Sequence, residues 1–146
     1  MKTLISSILL LLIHFLSSCT KYEDGPGFSL LTKKSRLANT WRVESFFLNN
    51  NDETYNYRIF ITKEELTFSR SGDYSYSESA TWSWAKADDK GSWEFREQKE
   101  EVNMISEDGS SKNFRILKLK NDQLWLERRV SPDSLVELHY VPLTDN

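Results

Sequence analysis

Glu94, Glu97, Glu100 and Glu101 form a dense group of carboxylates, and neighbouring carboxylates are standard equipment for general acid–base chemistry. Their setting argues against that use. Glu97-Gln98-Lys99-Glu100-Glu101 reads as a hairpin turn, where charges stay solvated, so a structural role is expected. His139 is the one histidine outside the N-terminal segment that holds His14. It alternates with Leu138 and Tyr140 and has no partner close in sequence, so it reads as a strand residue rather than a base. No Cys/His cluster has metal-ligand spacing, and no glycine-rich loop opens a helix. No Gly-x-Ser-x-Gly nucleophile elbow occurs, and Asp88-Asp89 lacks the multi-oxygen spacing of a calcium loop. The expectation is a protein that is not an enzyme and carries no metal or cofactor.

The aromatic residues are better placed to bind something. Tyr55, Tyr57, Tyr74 and Tyr76 each offer an apolar ring and a polar tip. They either line a ligand pocket or occupy the solvent face of strands as good β-formers. Trp82 and Trp84, two apart on one strand face, read either as a platform for a sugar ring or apolar ligand, or as core. Trp41, Trp93 and Phe95 are expected to be structural. Trp125 alternates with Leu124 and Leu126 and so faces the opposite way from both. Either Trp125 is interior and the leucines face an outer partner, or Trp125 is an exposed aromatic.

These residues sit on a chain whose pattern has period two from Thr40 onward, with turn residues about every 8–12 positions. Trp41, Val43 and Phe47 alternate with Arg42 and Glu44. Tyr55, Tyr57, Ile59 and Ile61 share one face, and Leu66 and Phe68 resume the pattern. Ser71-Gly72-Asp73, Asp88-Asp89-Lys90-Gly91, Asp108-Gly109, Asn121-Asp122 and Ser131-Pro132-Asp133 are turn signals between later alternating runs. The pattern predicts eight strands and no helix of consequence, with Pro142 ending the last strand. Eight hairpin-linked strands form an up-and-down barrel or a sandwich, since alternation alone does not show closure. A barrel of this size either fills its interior with side chains or holds one small ligand.

The N-terminus carries a different message. The chain has 146 residues and a formal net charge of −3, which gives no electrostatic footprint for nucleic acid. Lys2 precedes an apolar run from Leu4 to Leu16, too short for a membrane-spanning helix but suited to a secretory signal. Leu16-Ser17-Ser18-Cys19 resembles the bacterial lipoprotein lipobox. The resemblance implies a signal peptide over residues 1–18 and a lipidated Cys19, carrying palmitate-type acyl chains that hold the protein on a membrane. Cys19 is the single cysteine, so the mature protein would have no disulfide. Residues 19–35 read as the lipidated cysteine and a flexible tether broken by Gly25-Pro26-Gly27, with Ser29 as a candidate N-cap for a short helical turn. Thr20 is not the aspartate that retains lipoproteins at the inner membrane. Lys21-Tyr22-Glu23-Asp24 loosely resembles a surface-export tag. The expected address is therefore the outer membrane, at the cell surface or on the periplasmic face.

Residues 36–146 resemble the lipocalin-like domains found in lipoproteins of Bacteroidetes. Leu37-Ala38-Asn39-Thr40-Trp41 is similar to their Leu-x-Gly-x-Trp opening, with Asn39 in place of glycine. Leu66-Thr67-Phe68 with Gly72-Asp73-Tyr74, Gly91-Ser92-Trp93, and Ile116 to Leu126 resemble later motifs in the same order. The resemblance implies an eight-stranded antiparallel barrel with one open mouth, and binding rather than catalysis. The expected ligand is small and apolar or amphipathic. The alternative is an accessory lipoprotein with a filled barrel that docks onto another envelope protein through Leu124, Leu126, Arg128 and Arg129.

Overall fold

A computed structural model describes residues 31–80 and 87–144 of the chain. Cys19, Trp82 and Trp84 lie outside the described residues. A short helix, α1 (Lys33–Leu37), leads into β1 (Thr40–Leu48), the two-residue β2 (Asn51–Asp52) and a second helix, α2 (Thr54–Phe60). Seven more strands follow: β3 (Ile61–Phe68), β4 (Asp73–Ala80), β5 (Ala87–Arg96), β6 (Glu101–Ser106), β7 (Ser111–Leu119), β8 (Leu124–Ser131) and β9 (Ser134–Pro142). Each strand from β3 onward pairs antiparallel with the next, and β9 returns to pair with β1. The result is a closed eight-stranded up-and-down barrel, with β2 a stub on the end of β1. Closure pairs the barrel strands on both sides, except where β1 and β3 part above Trp41 and Leu66, and so reduces the edge liability of open sheets.

Alternation assigns one face of every strand to the lumen. Leu66, Phe68, Tyr74, Trp93, Val102, Met104, Ile116, Leu119, Leu124, Leu126 and Tyr140 point inward and are buried. Leu124 and Leu126 are fully buried, so the docking face expected of them does not exist; Trp125 is the outward residue. Trp125 stacks on His139 at 3.8 Å and an interplanar angle of 5°, while Lys118 Nζ lies 3.3 Å from the Trp125 ring centre. His139 also bonds Glu137 at 2.6 Å, which makes it the satisfied strand histidine that the sequence suggested.

A register shift between Ile116 and Lys118 lets both Ile116 and Leu119 of β7 point inward, and two further departures from strict alternation shape the upper barrel. A register shift between Val43 and Ser45 flips β1, so Phe46 rather than Phe47 faces the lumen. Phe47 instead meets His139 outside, at 4.9 Å between ring centres. Residues 54–60 are helical, contrary to the single strand face predicted for Tyr55, Tyr57 and Ile59. The Asp52 carboxylate accepts the Thr54 backbone N–H at 2.9 Å, and the Thr54 hydroxyl accepts the Phe46 N–H at 2.9 Å. Such Asx-type bonds hold the chain in a turn and start the helix.

One end of the barrel is solidly packed. Leu37 of α1 and Trp41 are fully buried, and the Trp41 indole N–H donates to the Leu37 carbonyl at 2.9 Å. Thr32 caps α1, accepting the Ser35 N–H at 3.1 Å, while Ser29 lies outside the described residues. Asn39 does not adopt a left-handed backbone. Its side chain accepts the Thr40 N–H at 2.8 Å, and its carbonyl accepts the Phe68 N–H at 2.9 Å. Trp93 closes the same end, edge-on to Phe68 and Phe95, with its indole N–H on the Ser69 carbonyl at 3.1 Å. Trp41, Trp93 and Phe95 are thus all core or packed against it.

Candidate functional site

The other half of the lumen is not filled. A cavity of about 420 Å³ lies above the packed end. Its apolar lining includes Phe46, Leu66, Met104, Phe114, Val136 and Leu138. Tyr57, Glu64, Tyr76, Glu78, Lys112, Arg128 and Tyr140 add polar atoms to the same walls. A mostly apolar hollow of this size with a few convergent polar groups is the usual form of a small-molecule site.

The polar groups are positioned by register. Glu64 on β3 stands directly opposite Glu78 on β4, both pointing inward. Glu64 is only 8% exposed. It accepts the Tyr57 hydroxyl and, at 3.3 Å, the Tyr140 hydroxyl, while Tyr76 donates to Glu78. Burial pushes the Glu64 carboxyl up, and the charge of Glu78 adds to this; the bonds from Tyr57 and Tyr140 oppose it without cancelling it. Burial, and after it the charge of Glu64, also pushes the phenols of Tyr57, Tyr76 and Tyr140 up. These phenols therefore stay protonated and donate.

The tyrosines named from sequence divide three ways. Tyr57 and Tyr76 line the cavity. Tyr74 points inward but is buried in the packed half, its phenol pushed up to about 12, first by burial and then by its bond to Asp89. Tyr55 is 79% exposed on α2 and has no part in the cavity. The cluster at Glu94 to Glu101 is a surface turn, with Glu94 bonded to Arg96 at 2.9 Å. Among the described residues no group of His, Cys, Asp or Glu is arranged to hold a metal ion.

Sequence reasoning missed Glu64, Glu78, Lys112 and Tyr140, and it assigned Arg128 to an outer docking face although Arg128 lines the cavity. A signal for them existed. Each lies two residues from an inward apolar or aromatic neighbour, so each is a polar residue on the buried phase of its strand. Asp89 sits on that phase too. Burial raises its carboxyl, but bonds from Ser106, Lys112 and Tyr74 outweigh this and hold it below the ordinary value.

The wall between β1 and β3 is thin. These strands pair only at Thr40 with Thr67 and Trp41 with Leu66. Above that point they separate, and α2 covers the gap, with Tyr57 stacked on Phe46 at 4.6 Å. A lateral cleft of about 400 Å³ lies on the outer side, lined by Arg42, Val43, Arg58, Ile61, Lys63 and Leu143 among others. Tyr57 and Glu64 line both the cleft and the cavity, so their hydrogen bond is the partition between the two.

The fold and this hollow define a class: a small closed β-barrel with a partly filled lumen. Compared with models of known protein families and with curated protein sequences, the chain matches none.

Proposed function

We propose that this protein is a lipid-anchored, lipocalin-like binding protein that takes a small amphipathic molecule into its barrel. The observation that carries the reading is the cavity of about 420 Å³, lined by apolar side chains with a few polar ones. A barrel serving only as a scaffold would gain stability from filling that space, because unfilled apolar volume forfeits packing. The lipobox-like Leu16-Ser17-Ser18-Cys19 supports anchoring through Cys19 at the outer membrane, on the surface or the periplasmic face.

The binding test uses a fluorescent fatty acid, dansylaminoundecanoic acid, with the stoichiometry read by native mass spectrometry. Saturable one-to-one binding is expected, and Leu138→Trp, which fills the lumen, should remove it while circular dichroism stays β-type. Failure of the probe and of an uncharged analogue to bind would overturn the reading. For the anchor, metabolic labelling with an alkynyl fatty acid should mark the wild-type chain and not Cys19→Ser.

A second reading is docking to another envelope protein. Tyr55, Ile59 and Phe60 expose apolar surface on α2, with Ile59 at 42% and Phe60 at 56%. A photo-crosslinking residue placed at Phe60 in the native envelope should then trap a discrete partner.

A further inference from the structure

Resting on the reading of the lumen as a binding site, we propose that its ligand is two-ended: an amphipathic acid with a hydrogen-bond donor, hydroxyl or ammonium, at its far end. Around the closed barrel the strands run β1, β3, β4, β5, β6, β7, β8, β9 and back to β1. β3 and β7 are therefore half a circuit apart, and so are β4 and β8. Glu64 and Glu78 line the cavity from β3 and β4; Lys112 and Arg128 line it from β7 and β8. One wall of the lumen is acidic and the wall facing it is basic.

No ion pair among the described residues crosses between them. Lys112 is already committed to Asp89 at 3.0 Å. Arg128 lies with its guanidinium 5.7 Å from the Phe114 ring centre, and among the described residues it pairs with no carboxylate. A guanidinium has five donors in a planar fork, which matches a carboxylate two bonds at a time. On the opposite wall, Glu64 and Glu78 sit directly across from each other, an arrangement of like charges that is unfavourable by itself. Each carboxylate accepts phenols from the tyrosines and retains further acceptor capacity. A donor placed between them relieves the repulsion. Leu66, Met104, Val136 and Leu138 form the apolar span between the two ends. An acid of this kind satisfies both walls at once, whereas a plain alcohol or a plain fatty acid satisfies only one.

The experiment is a displacement series against dansylaminoundecanoic acid on the mature full-length protein. The competitors are dodecanol, dodecanoic acid, ω-hydroxydodecanoic acid and ω-aminododecanoic acid. Dodecanoic acid should displace the probe better than dodecanol, and one of the two bifunctional acids should exceed dodecanoic acid by about tenfold, the effect of one added charge-assisted hydrogen bond. Which of the two does so identifies the donor as hydroxyl or ammonium. Arg128→Gln should weaken all three acids by about tenfold and leave dodecanol unchanged, while Arg128→Lys restores part of the loss. Glu64→Gln with Glu78→Gln should erase the advantage of the bifunctional acid alone. Equal affinity for acid and alcohol, no gain from either far-end donor, or Arg128→Gln without effect on the acids overturns the proposal while the lumen remains a binding site. If neither the probe nor dodecanol binds, the lumen reading itself falls, and this proposal with it.

Discussion

Tyr57, carried by α2, donates its hydroxyl to Glu64, carried by β3, across the gap where β1 and β3 do not pair. One hydrogen bond thus completes a wall that backbone pairing leaves open, and it satisfies a carboxylate that burial would otherwise penalise. Helix, gap and buried acid form a single unit: the β1–β3 separation makes room for α2, and α2 supplies the donor that the inward glutamate needs.

Tyr57→Phe removes that donor and leaves Glu64 with the longer bond from Tyr140. Losing a buried hydrogen bond to a charged acceptor should cost about 1–3 kcal/mol in urea unfolding. Tyr55→Phe, at a site 79% exposed on the same helix, should change stability little. Hydrogen exchange should rise in residues 54–60 of the Tyr57 variant before it rises in the strands. Equal effects of the two substitutions would show that the Tyr57 bond does not hold the wall.

Glu64 and Asp89 should act on stability with opposite signs. The folded-state pKa of Glu64 lies above its ordinary value, so between the two values the folded protein holds the extra proton and stability falls as pH rises. Glu64→Gln keeps an acceptor for Tyr57 and should flatten this slope, raising stability towards neutral pH. The pKa of Asp89 is lowered, so its contribution is complete above the ordinary aspartate value and is lost as pH falls through the folded-state value. Asp89→Asn should therefore reduce stability at neutral pH and reduce it less in acid. Melting temperatures of the three proteins across the acid range separate the two effects.

Gly91 marks a close backbone approach between β5 and β6. A Cβ there would come within 2.0 Å of the Ile105 carbonyl oxygen, which is backbone and cannot swing aside. Gly91→Ala must push the two strands apart next to Trp93 and should cost about 1–3 kcal/mol or more, as overpacking does. Gly109→Ala meets no atom within 4 Å, and its cost is confined to the left-handed backbone at φ +85°. A smaller loss for Gly109 than for Gly91 in the same denaturant titration is the expected order.

The eight-stranded antiparallel order was legible because period two depends only on which face is buried, while alternation left barrel and sandwich equally open and the β1–β9 pairing decides between them. Two kinds of detail were not. The Tyr55, Tyr57, Ile59 spacing satisfies a strand template, while the features that make a helix there are the Asp52 and Thr54 bonds to backbone, which need the end of β1 in place. The cavity groups failed for a different reason. A lone glutamate or arginine on an apolar phase reads as noise in a single strand. Its meaning comes from the charge facing it four strands away, and only closure creates that pairing of walls. Leu124 and Leu126 show the same limit: alternation separated them from Trp125, but the choice of which side was inside required the partner strands.

The packed end and the hollow end should respond to substitution independently. Trp41→Ala deletes a fully buried indole and should cost about 3–5 kcal/mol. Trp41→Phe keeps most of the ring volume but leaves the Leu37 carbonyl without its 2.9 Å donor, so a loss of about 1–3 kcal/mol is expected. Neither the ring nor the carbonyl lines the cavity, so probe affinity in the Trp41→Phe protein should match wild type wherever it remains folded. Arg128→Gln should do the reverse. It removes a half-buried guanidinium that packs on Phe114 but pairs with no carboxylate among the described residues, so acid binding should weaken with little loss of stability. If Trp41→Phe weakened binding as much as Arg128→Gln did, the two halves of the lumen would be one cooperative unit, and the cavity could not be treated as a site resting on an independent base.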